Sequence, residues 1–178
     1  RYAPVGAVPS TAVRLFGEQL TPVASPWLIR SGPPLRKGAD LANFALIEAS
    51  DGHRTQSLQF LAWRRWLDAY QLQTLEPKRW LYFNYAHQIA QAALTGQGVA
   101  LARVPLVADS LASGDLVEVL PGMRMDSPLV YWLMVGPRAA ERPEIVAFCQ
   151  WLQAQAAITR VALGEADAPA GPSASSGT

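Results

Sequence analysis

One cysteine, Cys149, is the whole thiol content of this sequence, which rules out an internal disulfide and a zinc cluster built on cysteines and fits a reducing compartment. Histidine is nearly as scarce, with only His53 and His87, and their separation gives a histidine-based metal site no support. Lysine is confined to Lys37 and Lys78, so the positive charge is nearly all arginine. There is no excess of either sign: the formal net charge is +1 and 16% of residues are charged, so no strong field draws nucleic acid or an acidic membrane. No apolar run reaches the length of a membrane span; the longest, "LVYWLMV" at Leu129–Val135, has the length of a strand. A Gly-x-Ser-x-Gly elbow and a Gly-rich phosphate loop with its lysine are both missing. No signal peptide is visible, and because Arg1 rather than Met comes first, the chain reads as a piece of something longer.

What is present is a globular composition. Half of the 178 residues are apolar, enough for one domain or two small lobes. After a Pro- and Gly-rich start, "AVRLFGEQLTPVASP" predicts one or two strands ending at Pro26. A short helix around Ala39–Ala42 precedes a buried strand at Ala45–Ala49. Thr55–Tyr70 has helical spacing, with Leu58, Leu61, Trp66 and Tyr70 near one face, and Arg79–Phe83 is a strand. Asn84 is placed to cap a helix over Ala86–Leu94, and Gly96 sits where that helix would end in the left-handed conformation. "GVALARV" is the next strand. Pro105 and Gly114 then bracket a helix, "LVEVL" is a further strand, and "LVYWLMV" reads as a fully buried one. Pro143 opens a last helix with Ile145, Phe148, Leu152 and Ala156 on one stripe. The tail, residues 163–178, has a disordered composition. Alternating strands and helices with continuously apolar strands predict an α/β fold with parallel layering.

Catalytic chemistry is hard to place on this frame. The Gly96–Gly98 pair follows a helix and precedes a strand, the reverse of the order a dinucleotide fingerprint needs, so it reads as a helix stop. His53 lies in a polar loop. His87, in the first turn after Asn84, faces either a ligand or solvent. Cys149, between Phe148 and Trp151, reads as a buried small hydrophobe. Arg64 and Arg65 between Trp63 and Trp66 suggest either base stacking beside cations or an amphipathic helix with Trp66 inward. The acids are scattered, and no cofactor is implied. The remaining candidate is a polar cleft at strand ends, where Asn84, Tyr85 and Arg103 sit at strand-to-helix junctions whose free N–H groups suit an anion. For Asn84 alone, a cap with no ligand is an equal alternative.

The stretch "AALTGQGVALARVPLVADSLASGDLVEVLP" resembles the effector-binding domain of LysR-type transcriptional regulators, in the branch of the glycine-cleavage activator. "LFGEQLTPVASPWLI", "PLRKGADLANFALIE", "WRRWLDAY", "YWLMVGP" and "EIVAFCQWLQAQA" extend the resemblance, in order, over about residues 1–156. It implies a two-lobed fold like that of type 2 periplasmic binding proteins, with the second lobe at 22–127 and an incomplete first lobe from 1–21 and 128–160. It further implies a small-molecule effector between the lobes, a homodimer or homotetramer, and a cytoplasmic protein that is not an enzyme. DNA would be bound only through an N-terminal helix-turn-helix outside this chain. By the same resemblance, Asn84, Tyr85 and Tyr131 are effector contacts, and Thr21, Ser25 and Tyr2 lie on the hinge side. A periplasmic solute-binding protein is the alternative on the same fold.

Overall fold

Strand alternation and two opposed apolar faces organise the larger part of the molecule. The structure is a computed structural model that describes residues 1–49 and 60–165. It divides into two compact units, one of Glu18–Pro128 and one of Arg1–Gly17 with the chain from Leu129 onward.

In the Glu18–Pro128 unit the strands are β3 (Gln19–Ala24), β4 (Ala45–Ala49), β5 (Arg79–Phe83), β6 (Val99–Arg103), β7 (Val117–Glu118) and β8 (Met125–Asp126). They form one sheet in the order β5-β4-β6-β3-β7, with β8 also paired to β3. Expectation and structure part here. β4 is parallel to β5 and to β6, but β3 runs antiparallel to β6, β7 and β8. The sheet is therefore mixed rather than purely parallel.

Successive residues of the strands feed opposite faces. Leu20, Leu46, Val99 and Leu101 pack against Trp63, Trp66 and Leu67 of helix α2 (Trp63–Ala69). Val23, Ile47, Ala100 and Ala102 pack against Ala92 and Ala93 of α3 (Ala86–Leu94) and Val107 of α4 (Val104–Ser113). Small residues on α3 let it lie close to the sheet, and Gly98 does the same for β6: a Cβ there would stand 2.5 Å from the Ala45 carbonyl oxygen. Gly96, at φ +75, ends α3 as expected, and Gly114, at φ +78, ends α4.

The local departures have local causes. Pro26 opens a helix instead of ending a strand: α1 (Pro26–Ser31) has Pro at its first position and Ser25 as its cap. The segment expected as a short helix at Ala39–Ala42 is a 3-10 turn over Gly38–Asn43. Helix α2 begins only at Trp63; Leu58 and the rest of the expected helix through residue 59 lie outside the described residues. "LVEVL" keeps only Val117–Glu118 as strand.

In the other unit, β9 (Leu129–Leu133) is the centre of a three-stranded sheet, flanked by β1 (Tyr2–Pro4) and β2 (Val13–Phe16), both antiparallel to it. It is not a fully buried strand of a parallel sheet: only Leu129 and Val130 are buried, and Met134 and Val135 just beyond it are exposed. A short α5 (Pro137–Ala140) leads to α6 (Pro143–Leu163). Along α6, Ile145, Cys149 and Leu152 are half-buried and Ala156 and Leu163 buried, whereas Phe148, expected on that stripe, is exposed and stacks on Trp151. One residue of rotation separates Phe148 from Cys149, and it is the cysteine that turns inward. Just past α6 the Glu165 carboxylate accepts from Arg14 and from the Gly17 backbone N–H; the rest of the expected tail, residues 166–178, lies outside the described residues.

Candidate functional site

The carboxyl ends of the three parallel strands open into a cavity of about 200 Å³ within the Glu18–Pro128 unit. Its walls are Ile47, Glu48 and Ala49 from β4, Asn84, Tyr85, Ala86, Ile89 and Ala90 at the β5–α3 junction, and Leu101, Ala102, Arg103, Leu106 and Val107 at the β6–α4 junction, with Leu61 and Trp63 closing the α2 side. Strand ends beside helix N-termini are where open α/β sheets take ligands. The lining is mostly apolar with a few polar groups, the composition of a small-molecule site.

Three of the expected site residues meet here. Asn84 is exposed and its side chain makes no hydrogen bond to a described residue. It does not cap α3; the cap position is Tyr85, whose N–H donates to the Gln88 side chain at 3.3 Å. With the cap one residue on, Asn84 lines the cavity without capping α3. Tyr85 is exposed, its ring stacked on that of His87 at 5.6 Å. Arg103 ends β6, with its side chain 21% exposed, and donates through Nε to the wholly buried carboxylate of Glu18 at 2.6 Å.

The other expected residues are elsewhere. Thr21 is fully buried, and its hydroxyl donates to Glu118 at 2.9 Å. Arg124 grips the same carboxylate through Nε and Nη2, and its guanidinium, followed by the Thr21 hydroxyl, holds the Glu118 carboxyl below its ordinary range against the opposing effect of burial. Ser25 accepts from the Leu28 N–H and caps α1. Neither lines the cavity. Tyr2 and Tyr131 face each other across β1 and β9 in the other unit, ring centroids 4.8 Å apart, with Phe16 on the far side of Tyr131.

Trp63 and Glu48 were missed. Trp63 is fully buried; its indole N–H donates to the Ile47 carbonyl at 2.9 Å, and its backbone N–H donates to Glu48 at 2.7 Å. A carboxylate ending an apolar strand, as in "FALIE", was the available signal for Glu48. Trp66, 5.4 Å from Trp63 edge to face, points inward as the amphipathic reading requires, and Arg65 reaches the carbonyls of Phe60 and Asp126. Both ring faces that base stacking would use are thus spent in the core. Among the described residues no group of three or more His, Cys, Asp or Glu side chains could hold a metal ion, and no helix is long and apolar enough to cross a membrane. His53 lies outside the described residues.

Set against known proteins, residues 3–157 match the model of the LysR substrate binding domain. The glycine cleavage system transcriptional activator of Escherichia coli K12 is 31% identical over 144 residues, covering 81% of this chain and 44% of that protein. The HTH-type transcriptional regulator TrpI of Pseudomonas aeruginosa is 30% identical, covering 80% and 45%. The chain thus spans a little under half the length of these curated relatives. Among solved structures, the effector domain of the regulator AmpR of Pseudomonas aeruginosa superposes with a TM-score of 0.67 at 27% identity, covering 92% of this chain and 73% of that one. The AmpR effector-binding domain of Citrobacter freundii, at 24% identity and a TM-score of 0.63, shares the fold.

Proposed function

This chain belongs to the LysR substrate-binding domain family, and from that premise we propose that it is the ligand-sensing part of a bacterial transcriptional regulator, with the strand-end cavity of the Glu18–Pro128 unit as its effector pocket. The observation that carries the pocket is the convergence of Asn84, Tyr85 and Arg103 on one small, largely apolar cavity. About 200 Å³ is below the range of drug-sized sites, so the effector is a small metabolite. In the first turn of α3 the Gln88 N–H already donates to the Tyr85 carbonyl, while those of Ala86 and His87 have no acceptor within the helix and carry the positive end of its dipole; Arg103, paired with Glu18, adds a guanidinium with further N–H donors. An anionic group, such as a carboxylate, suits that wall. The Asn84 amide, with both donor and acceptor, orients the rest of the molecule.

Sensing needs no bond-breaking group, and the proposed role is not enzymatic. An effector shifts the protein only by binding one arrangement better than another. A coupling of about 1–3 kcal/mol changes operator affinity about 5–150-fold. In the full-length regulator this change would reach DNA through a separate DNA-binding domain, in a homodimer or homotetramer inside the cytoplasm. The relatives named above are regulators, which favours this role over a solute-binding protein of a transporter.

Calorimetric titration of small carboxylate metabolites into the chain tests the pocket. A binding compound should lose about tenfold in affinity with Asn84→Ala, the equivalent of one lost hydrogen bond at about 1.4 kcal/mol. Titrations that superpose for the two proteins would refute the assignment.

A further inference from the structure

The ion pair between Arg103 and Glu18 joins the cavity to the place where the chain passes between its units. Leu20 of β3 lies directly opposite Arg103 of β6. Residues two apart on a strand share a face, so Glu18 is the diagonal neighbour of Arg103 across the ladder, within reach of a long side chain. The result is an asymmetric pair: Arg103 is a cavity residue whose side chain keeps 21% exposure, while the carboxylate of Glu18 is wholly buried. A buried carboxylate is tolerated only when it is paired and hydrogen-bonded.

Glu18 is also a backbone junction. The chain leaves the first unit at Gly17 and returns to it at Leu129. At this junction the Glu18 carbonyl accepts from the Ser127 N–H at 2.8 Å. One residue on, the Gln19 amide donates to Asp126 at 2.8 Å, in register with the β3–β8 pairing. The outgoing and returning segments are thus knitted together at the residue whose side chain holds Arg103.

We propose that Glu18 is a positioning residue that transmits anion binding at Arg103 to the paired crossing segments. The inference rests on the anion-binding reading of the cavity. A ligand carboxylate and Glu18 draw on one guanidinium, so an arriving anion loosens the hold of Glu18 on Nε. The displaced carboxylate is attached to the backbone that accepts from Ser127, and the Glu18–Ser127 bond moves with it.

Nitrogen-15 NMR of the chain reads both ends of this path. The probe is sodium acetate at constant ionic strength, with acetamide as the neutral control. Acetate should move the Asn84 and Tyr85 amides, the Arg103 Nε–H and the Ser127 amide along one binding curve, and acetamide should move none of them. In Glu18→Gln, which keeps the shape and an acceptor but removes the charge, the Asn84 and Tyr85 responses should persist and the Ser127 response should vanish. A role of Glu18 in stability alone would leave Ser127 unmoved in the parent protein. Responses at Asn84, Tyr85 and Arg103 with a silent Ser127, or a Ser127 response that survives Glu18→Gln, overturn the transmission while leaving the pocket standing. Silence at Asn84, Tyr85 and Arg103 overturns the anion reading of the pocket, and the transmission with it.

Discussion

Replacing Trp66 with Phe removes a specific clamp in the Glu18–Pro128 unit. Trp66 is fully buried, and its indole N–H donates to the Met123 carbonyl at 2.9 Å. It sits between Trp63, 5.4 Å away, and Tyr70, 4.6 Å away, whose hydroxyl donates to the Arg124 carbonyl at 2.7 Å. One face of α2 therefore grips the segment that leads into β8. The phenyl ring keeps the apolar contact with Leu20 and Leu46 but loses ring volume equal to two or three methylenes, about 2 kcal/mol at about 0.8 kcal/mol each. The Met123 carbonyl loses its donor, a further cost of about 1–3 kcal/mol. Trp66→Phe should then lose about 3–5 kcal/mol, a large share of an ordinary domain's stability. Urea unfolding followed by circular dichroism should show the midpoint fall by about 1.5–2.5 M for a slope of about 2 kcal/mol per molar. Tyr70→Phe alone should cost about 1 kcal/mol, and the double variant less than the sum, since both residues fasten the same segment. A loss below about 1 kcal/mol for Trp66→Phe would mean that the segment is held by something other than this hydrogen bond and packing.

Other perturbations follow from the same geometry. The Glu118 carboxyl titrates below its ordinary 4.5 because Arg124 and Thr21 favour its charged form. Its folded value is thus below its unfolded one, so its stabilisation is whole above pH 4.5 and is lost as the pH falls through the folded value. Glu118→Gln should flatten the acid limb of a urea-midpoint profile, and parallel profiles would contradict this. Gly98→Ala drives a Cβ to 2.5 Å from the Ala45 carbonyl oxygen; the strands must part, at a cost of about 1–3 kcal/mol, visible as a lower melting temperature. A Gly114→Ala protein should also be destabilised, by about 1 kcal/mol, but through its left-handed φ of +78 alone, since a Cβ there meets nothing.

Much of the Glu18–Pro128 unit was legible because its cues are local. β4, β5, α3 and β6 are short apolar runs punctuated by Gly96 and Gly98, and each forms where the pattern puts it. Strand direction is not local. Nothing in "LVYWLMV" states that β9 pairs antiparallel with segments more than a hundred residues earlier, and a continuous apolar run suits either sense. The Ser25-Pro26 pair was readable as a cap followed by the first helical residue, but the preceding strand drew Pro26 into the role of terminator. In the candidate site, Asn84, Tyr85 and Arg103 were legible as cavity-lining residues because strand ends can be read whenever strands can. Glu18 was not: its partner is 85 residues away in sequence, and only the β3–β6 register brings the two together.

The sensing role stands or falls with a small effector in the strand-end cavity. The most direct test is a crystal structure of the chain grown with the tightest carboxylate metabolite from the titrations. Ligand density is expected in contact with the Asn84 amide and the Arg103 guanidinium. Density for the same compound elsewhere, with the cavity at Asn84 and Arg103 filled by solvent, would contradict it.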